Sequence, residues 1–395
     1  MKIAINGCGI AGPALAFWLL RAGHEPVLIE QASQLQSGGY VIDFWGVGYD
    51  IAEKMGLIPR LKEVGYQVGE VRFVDSRGRR RAGFSTDVFR RMTRGRFTSI
   101  RRSDLATALY SALEGRVETI FGDSIASIEE CGDRLEVSFD RANPRTFDLV
   151  VGADGLHSRV RRIMAGPEEE FETGLGLHVA AFEVTGYHPR DELAYVSHTR
   201  PGRQISRFSM RGDRTLFLFV FRDEQLHGPV PTSDKSYKAA LHRVFDTDSW
   251  EAPEILAQMD AADDIYFDRV SQIKMNTWTR GRTALVGDAA ACVSLLAGEG
   301  SGLAIAEAYV LAGELARAGC DYSTAFAAYQ ARLMPLLRLK QESAKKFASA
   351  FVPRSGFGLV MRNLAVTLLR IPSIADLLIG RDLRDNVDLP DYGWH

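Results

Sequence analysis

Residues 1–30 alternate between apolar runs and polar or glycine-rich breaks. Lys2–Asn6 is a short, mostly apolar run, and after a glycine-rich turn apolar residues recur at helical spacing from Pro13 to Ala22. A second apolar run, Pro26–Ile29, ends at the acidic residue Glu30. This order predicts a strand, a turn, a helix and a second strand.

The turn between the first strand and the helix contains a Gly-x-Gly-x-x-Gly motif. Gly7 permits a tight turn, Gly9 lets a pyrophosphate approach the backbone, and Gly12 allows the helix to pack closely on the strand. The helix start adds unpaired N–H groups and the positive end of the helix dipole, so Ile10 and Ala11 are also predicted contacts. In its strand–turn–helix context, the motif predicts a dinucleotide site.

Glu30 follows Gly12 by 18 residues, at the position where a carboxylate accepts hydrogen bonds from the ribose hydroxyls of a bound dinucleotide. We expect Glu30 and its neighbour Gln31 to contact this ribose. A carboxylate here argues against a 2′-phosphate, so the predicted ligand is FAD or NAD(H) rather than NADP(H). The N-terminal unit leaves these two ligands open.

Two later apolar strands end in motifs of glycine and aspartate. Asp148–Val151 leads into an Asp-Gly motif at Asp154 and Gly155, and Thr283–Val286 leads into a Gly-Asp motif at Asp288. A third glycine-rich segment then opens a helix that continues through Leu315, and it contains Gly298, Glu299, Gly300, Ser301 and Gly302. An aspartate at a strand-to-helix junction commonly caps the helix, so capping alone is an alternative role for Asp288.

With these three motifs in this order and at this spacing, the chain resembles the class A flavoprotein monooxygenases, the para-hydroxybenzoate hydroxylase-like family, over roughly residues 1–345. The resemblance implies FAD as the bound cofactor and NADPH or NADH as a transient co-substrate. It implies that Asp288 contacts the ribityl chain of FAD. Asp154 and Gly155 are implied to lie where FAD and the nicotinamide meet. Arg102, which precedes a Ser-Asp-Leu helix start, is implied to contact FAD as well.

The resemblance also implies a reaction. NAD(P)H reduces FAD, the reduced flavin captures O2 at C4a, and the flavin C4a-hydroperoxide hydroxylates a phenolic or polycyclic aromatic substrate. Helix-start N–H groups at residues 298–302 would stabilise the anionic reduced flavin. Because the flavin carries the chemistry, no catalytic residue is assigned.

The end of the chain is similar to the tetracycline-inactivating branch of the family, because a long helix over residues 323–350 is followed by a short helical tail. This similarity implies antibiotic inactivation or the tailoring of aromatic natural products. Two alternatives stay open: a flavoprotein that binds and shields a reactive intermediate without hydroxylating it, and a flavin-dependent reductase. Arg159, Arg161 and Arg162 either meet the phosphates of NAD(P)H or are solvated residues at a helix start.

Three residues depart from the family pattern. Gln31 stands where a basic residue usually follows the acid, Leu295 replaces a proline before the glycine turn, and Glu299 replaces a glutamine within it. Leu295 does not fix the backbone as proline does. Glu299, if ionised beside the flavin, would oppose the anionic reduced form.

The predicted fold class is α/β, with a Rossmann-like FAD-binding domain, a discontinuous β-sheet substrate domain and a C-terminal helical tail. The predicted limits are 1–75, 100–170 and 275–345 for the FAD-binding domain, 76–99 and 171–274 for the substrate domain, and 346–395 for the tail. Five phenylalanines of the substrate domain either line the pocket or, as is commoner, pack in a core: Phe182, Phe208, Phe217, Phe219 and Phe221.

Composition and charge argue against several classes of partner. The chain has 48 Lys and Arg against 50 Asp and Glu, a net charge of −2, and no long basic stripe that would suggest a nucleic acid. No apolar run reaches the roughly 20 residues that cross a bilayer, so no membrane partner and a cytoplasmic location are predicted. The 4 cysteines form no CxxC pair, and no metal is predicted. The expected partners are an aromatic small molecule and O2, and the oligomeric state, monomer or dimer, stays open.

Overall fold

The computed structural model describes residues 1–36, 38–319, 321–371, 373–375 and 389–394. The strands are β1 (Lys2–Asn6), β2 (Glu25–Glu30), β3 (Val41–Trp45), β4 (Glu70–Val74), β5 (Arg80–Ser85), β6 (Phe97–Arg101), β7 (Glu118–Phe121), β8 (Ile125–Cys131), β9 (Arg134–Phe139), β10 (Arg145–Phe147), β11 (Leu149–Gly152), β12 (Glu172–Thr185), β13 (Ala194–Arg200), β14 (Arg203–Met210), β15 (Arg214–Arg222), β16 (Tyr266–Ile273), β17 (Thr279–Arg280) and β18 (Thr283–Leu285). The helices are α1 (Ala11–Arg21), α2 (Gly46–Lys54), α3 (Ile58–Val64), α4 (Asp87–Met92), α5 (Arg102–Ser111), α6 (Arg159–Ala165), α7 (Asp234–Phe245), α8 (Ala252–Ala261), α9 (Asp288–Ala291), α10 (Gly300–Arg317), α11 (Tyr322–Phe351) and α12 (Gly356–Leu368).

The first sheet has six strands in the order β17-β18-β11-β1-β2-β7. β1 pairs in parallel with β2 and with β11, and the short edge strand β17 pairs antiparallel. Strands that are buried on both faces read as continuous apolar runs, which accounts for the sequences of β1 and β11. The predicted N-terminal strand, helix and second strand are confirmed as β1, α1 and β2.

The second sheet has seven strands in the order β16-β12-β15-β14-β13-β4-β5. The predicted strand-rich region is confirmed, since Val179–Val184 lies within β12 and Thr215–Phe221 within β15. β4 belongs to this sheet because it pairs in parallel with β13, although the predicted limits place residues 70–74 in the FAD-binding domain. The domain limits themselves stay a prediction.

The two faces of the second sheet have different neighbours. One face packs on α7 and α8. The opposite face, here called the site face, carries Tyr195, Phe208 and Leu216 in one row and Ser197, Ser206 and Leu218 in the next. Because side chains alternate along a strand, the register of these strands assigns each residue to one face.

The C-terminal part is helical, as predicted. α11 confirms the long helix, and α12 packs against β5 and β13. Residues 376–388 of the predicted tail lie outside the described residues. In the described part of the chain, no helix has the length and apolarity that a bilayer crossing requires.

Candidate cofactor and substrate site

The glycine motif and the Asp-Gly motif pack directly on one another at the carboxyl end of β1. A Cβ on Gly7 would overlap the carbonyl of Ala153, and Gly7 has a φ of +109°, which favours glycine. A Cβ on Gly12 would overlap the carbonyl of Gly7. These two glycines therefore allow turn, strand and helix to pack closely. Ile10 and Ala11 begin α1 with buried side chains, so only their main chain faces the turn.

Gly9 is open where the other two glycines are enclosed. The nearest atom to the point that a Cβ on Gly9 would occupy is Nη2 of Arg102, at 3.7 Å. Arg102 begins α5, and its N–H donates to the carbonyl of Tyr40 at 3.1 Å. Its guanidinium forms no ion pair with a carboxylate of the described residues. A cation thus faces bare backbone, an arrangement that suits a pyrophosphate.

The carboxylate of Glu30 is turned back toward the glycine motif. Its Oε2 accepts from the N–H of Cys8 at 2.7 Å, and its Oε1 accepts from the N–H of Ala32 at 2.8 Å. An ionised carboxylate has about four acceptor positions, so positions remain for ribose hydroxyls. Burial, assisted by the charge of Glu30, raises the pKa of Cys8 to about 12 and keeps this thiol neutral. The side chain of the next residue, Gln31, is exposed to solvent.

Asp154 of the Asp-Gly motif is engaged inside the protein. Its Oδ2 accepts from Nδ2 of Asn6 at 2.9 Å and from two N–H groups at the start of α6 at 2.8 and 3.1 Å. The hydroxyl of Ser158 donates to its Oδ1. The side chain therefore stabilises the start of α6 and ties it to β1. Gly155 follows with a φ of +77°, and contact of either residue with FAD stays a prediction.

The arginines after this motif do not form one phosphate site. The side chain of Arg161 is 0% exposed, donates to two main-chain carbonyls at 2.6 and 3.2 Å, and pairs with Glu168 at 2.7 Å. Arg159 pairs with Asp140. Both arginines are therefore structural, and of the three candidates only Arg162 is exposed without an internal role of this kind in the described residues.

Asp288 borders the same space as Arg102. It is the first residue of α9, whose cap position is Gly287, so helix capping alone is not its role. Burial raises the pKa of Asp288, and the positive charge of Arg102 opposes this rise. Its Oδ1 lies 3.6 Å from the point that a Cβ on Gly300 would occupy. A half-buried acceptor, a cation and the start of α10 therefore converge here.

The glycine turn before α10 brings this helix into backbone contact with α2. Gly298 has a left-handed φ of +71°, and the first turn of α10 contains Gly300, Ser301 and Gly302. A Cβ on Gly48 would overlap the Cα of Gly302. Gly48 was not predicted from the sequence as a site residue. A Gly-x-Gly pair directly after an apolar strand could have indicated this close contact.

Glu299 and Leu295, the two departures from the family pattern that lie near this turn, both contact other parts of the chain. The ammonium of Lys340 donates to Oε1 of Glu299 at 2.9 Å, and the two side chains are only 11% and 18% exposed. This ion pair offsets the negative charge that Glu299 adds beside the turn. Leu295 packs against the cluster that contains Val179 and Val220, so apolar contact with the second sheet holds this segment.

A cavity opens between β3 and the glycine turn. Its lining consists of Asp43, Phe44, Trp45, Val47, Gly298, Glu299, Gly302, Leu303 and Lys340. Asp43 was not predicted from the sequence as a site residue. The feature that could have pointed to it is a single acidic residue inside the otherwise apolar segment Val-Ile-Asp-Phe-Trp.

Asp43 lies between the glycine turn and the second sheet. The hydroxyl of Ser99 donates to its Oδ1. Burial raises the pKa of Asp43 to about 6, and the hydrogen bond from Ser99 opposes the rise. Burial and the nearby charge of Asp43 together raise the pKa of Tyr195, which stands on the site face. Asp43 is therefore a half-buried carboxyl at the cavity wall, with a pKa raised to about 6.

The site face changes from aromatic to polar along its strands. The rings of Tyr195 and Phe208 stack with centroids 4.5 Å apart. In the next row, the hydroxyls of Ser197 and Ser206 are 2.8 Å apart. Phe208 is only 1% exposed and packs in a core cluster with Tyr66, whereas Tyr195 is half-buried. Of the two rings, Tyr195 is therefore the one that can stack on a ligand.

Helix α12 covers the polar end of the site face. Nη1 of Arg362 donates to Oγ1 of Thr199 at 3.1 Å and to Oε1 of Gln204 at 3.2 Å. The guanidinium also lies 4.1 Å from the ring centroid of Phe73. These contacts fix the helix over β4, β13 and β14.

Only one of the five candidate phenylalanines reaches the site face. Phe208 does so, and the other four pack toward α7 and α8 in the core: Phe182, Phe217, Phe219 and Phe221. Core packing is therefore confirmed for these four.

The residues present fit FAD. The open backbone at Gly9 faces Arg102, Glu30 keeps acceptor positions for a ribose, and the half-buried Asp288 lies beside a helix start. These three features suit the pyrophosphate, the ribose and the ribityl chain of FAD, respectively.

Comparison with known proteins agrees with this geometry. A family model described as an FAD binding domain matches residues 1–323. The chain is 36% identical over 373 residues to the uncharacterized protein Rv1260 of Mycobacterium tuberculosis strain H37Rv, covering 92% of this chain and 98% of the relative. It is 31% identical to a flavin-dependent monooxygenase of Legionella longbeachae, with 99% and 98% covered. The crystal structure of tetracycline destructase Tet(51) superposes with a TM-score of 0.83 at 31% identity and covers 99% of each chain.

Proposed function

This chain belongs to the FAD binding domain family and is an FAD-dependent monooxygenase, and on that premise we propose that it takes electrons from NADPH or NADH and hydroxylates a phenolic or polycyclic aromatic compound. Fused-ring compounds of the tetracycline type are the first candidates. Inactivation of such an antibiotic or tailoring of an aromatic natural product is the corresponding biological role.

The observation that carries this proposal is the position of Asp43. A half-buried carboxyl with a pKa of about 6 lines the cavity beside the glycine turn, close to Tyr195 on the site face. A hydroxylated aromatic ring suits both neighbours, because the ring stacks on Tyr195 while a ring hydroxyl faces the carboxyl. An aliphatic substrate without an ionisable hydroxyl would use neither feature.

FAD, when bound, supplies the activation of molecular oxygen. The residues of the chain bind and orient this cofactor. Arg102 and the start of α1 hold the pyrophosphate, Glu30 accepts from ribose hydroxyls, and Asp288 accepts from the ribityl chain. The N–H groups at the start of α10 favour negative charge on the adjacent edge of the cofactor, and Lys340 keeps Glu299 from opposing that charge.

Asp43 is the proton acceptor of the proposed reaction. A ring whose hydroxyl is ionised is richer in electrons, so it reacts faster with an electrophilic oxygen. In its ionised state the Asp43 carboxylate takes the proton from the substrate hydroxyl, and the hydroxyl of Ser99 holds the carboxylate in one orientation. General-base assistance of this kind contributes about 10²–10⁴-fold in rate.

The names of the relatives support the choice of substrate class. Tet(51) is named as a tetracycline destructase, and its likeness extends over 99% of each chain.

The test is to purify the FAD-loaded protein and follow the oxidation of NADPH and NADH in air with a panel of phenols, anthraquinones and tetracyclines. We expect one compound to accelerate oxidation and to gain one oxygen atom by mass. The Asp43→Asn variant should keep its FAD and lose most of this acceleration. The matched variant Asp50→Asn, which changes an exposed acid of α2, should behave like the unaltered protein.

Two other outcomes would replace the proposal. A compound that binds without changing mass, and that is protected from oxidation, would indicate the shielding flavoprotein. Turnover that continues without oxygen and adds hydrogen to the compound would indicate a flavin-dependent reductase.

A further inference from the structure

Helix α12 presents an apolar stripe to solvent. Phe357 is 77% exposed, Val360 65%, Met361 48% and Leu364 53%. Their spacing of three and four residues places them on one face of the helix. The other face is the one that carries Arg362 onto the sheet. A contiguous exposed apolar patch of this kind marks an interaction surface in soluble proteins.

Basic residues surround this stripe. Residues 343–375, which lie between Glu342 and Asp376, contain 5 lysines and arginines and no aspartate or glutamate, in a chain whose net charge is −2. One of the five, Arg362, packs on the sheet, and the other four remain for the surface around the stripe. Arg354 precedes α12 and is 67% exposed. Arg370 follows α12, is exposed, and donates from Nε to the carbonyl of Gly83 at 3.0 Å. Arg354 pairs with Glu224 at 3.1 Å, whereas Arg370 forms no ion pair with a carboxylate in the described residues. The positive charge beside the stripe therefore lies mainly at its Arg370 end.

The strand beside α12 adds to this charge. Arg370 fixes the end of α12 on β5, and β5 starts with Arg80 and Arg81, which are 42% and 56% exposed. Asp75 and Glu70 pair with these arginines, yet the segment from Glu70 to Arg81 holds 5 arginines against 2 acidic residues. The surface next to the stripe is thus basic as well.

We propose that the stripe of α12, together with the arginines at its two ends and on β5, docks this enzyme on an anionic lipid surface. The apolar side chains enter the boundary between headgroups and acyl chains, and the arginines meet lipid phosphates. The charge pattern selects this occupant over a second copy of the chain, because two copies joined through this face would bring their basic residues together.

This proposal departs from the absence of a membrane partner that the sequence predicts. That expectation rested on the lack of a spanning segment, whereas an interfacial helix needs no span. The hydrogen bonds of Arg362 to Thr199 and Gln204 turn one face of α12 to the sheet. The stripe lies on the opposite face and is therefore exposed to solvent.

The test uses the full-length FAD-loaded protein and vesicle flotation. We expect the protein to float with vesicles of equal parts phosphatidylglycerol and phosphatidylcholine, roughly tenfold more strongly than with phosphatidylcholine alone, and to be released by high salt. The double variant Phe357→Ser with Leu364→Ser should lose this binding. Val230→Ser, which changes another apolar residue that is 56% exposed, should retain it.

Bound flavin and the melting temperature of each variant report whether it is folded. The proposal is overturned if the unaltered protein does not float with the anionic vesicles, or if the folded double variant floats as well as the unaltered protein. It is also overturned if sedimentation shows a dimer that the double variant converts to a monomer, because the stripe would then belong to a second copy.

Discussion

Nη2 of Arg102 lies 3.7 Å from the place where a methyl group on Gly9 would stand, and apart from the chain neighbours of Gly9 no other atom of the described residues lies within 4 Å of that place. A side chain at Gly9 therefore meets no steric obstacle within the protein itself. In Gly12, by contrast, a Cβ would overlap main chain. The two glycines of one motif thus differ in their surroundings, because Gly12 is enclosed by main chain while Gly9 leaves room in front of the backbone.

This difference predicts opposite behaviour of two variants. Gly9→Ala should fold with an unchanged melting temperature and bind FAD about tenfold or more weakly, since the new methyl group occupies the approach of the pyrophosphate; tenfold is about 1.4 kcal/mol. Gly12→Ala should lower the melting temperature of the apoprotein. Flavin fluorescence titration and circular dichroism measure the two quantities. Equal loss of apoprotein stability in both variants would contradict this division of roles.

Asp43 predicts the pH dependence of turnover. Proton acceptance needs the ionised carboxylate, so kcat should rise as the pH increases through about 6, the pKa of Asp43. Asp43→Asn should abolish this rise of kcat with pH and lower kcat by about 10²-fold or more. Ser99→Ala removes the hydrogen bond that opposes the rise in the pKa of Asp43, so the rise of kcat should move to higher pH. If kcat rises at the same pH in both variants, the titrating group is not Asp43.

The same carboxyl contributes to stability with a defined sign. Its folded-state pKa is raised from 3.8 to about 6, so the folded state holds the proton more tightly than the unfolded chain does. The stabilisation is fully present below about pH 4 and is lost as the pH rises through about 6. Asp43→Asn, which is neutral at every pH, should flatten this part of the stability curve in urea titrations.

The Glu299 and Lys340 pair predicts a change in flavin potential. In Lys340→Met, Glu299 keeps its charge without a partner near the glycine turn, so anionic reduced flavin is disfavoured and the potential should fall. A tenfold shift of the two-electron equilibrium corresponds to about 30 mV. The double variant Lys340→Met with Glu299→Gln should restore the potential, and Lys345→Met on the same helix should leave it unchanged. Dye-linked photoreduction gives the values.

The indole of Trp394 stacks on that of Trp18 with centroids 5.1 Å apart and an interplanar angle of 18°. The hydroxyl of the neighbouring Tyr392 donates to Glu314 at 2.7 Å. Trp394→Ala should therefore lower the free energy of unfolding by about 1–3 kcal/mol through lost stacking and burial. Trp394→Phe should recover part of this loss in thermal melts. No change in either variant would show that the contact is not stabilising.

The sequence predicts those parts of the site that local patterns encode. The motifs at Gly7, Asp154 and Asp288 each combine an apolar strand with a fixed turn, and β1, β11 and β18 place them at one edge of a parallel sheet. The parallel arrangement of these strands brings the three motifs together, because the carboxyl ends of parallel strands lie on the same side of a sheet.

Asp43 and the site face are harder to predict, because they depend on register between distant strands. Because side chains alternate along a strand, the sequence of β15 divides into two faces, but it does not show which face packs on α7 and α8. Phe217 and Phe219 lie on the face that does. Asp43 stands in a short strand whose partner, β6, begins more than 50 residues later. The partners of Glu299 and Leu295 come from α11 and the second sheet for the same reason.

The contact between Gly48 and Gly302 has a consequence for how the protein is made. The turn at Gly7 leaves the ribosome first, but Asp288 and α10 emerge only after both sheets have been synthesised. A nascent chain therefore presents a pyrophosphate site long before it can retain a whole flavin. Retention of the whole cofactor therefore requires a chain that is synthesised at least through α10.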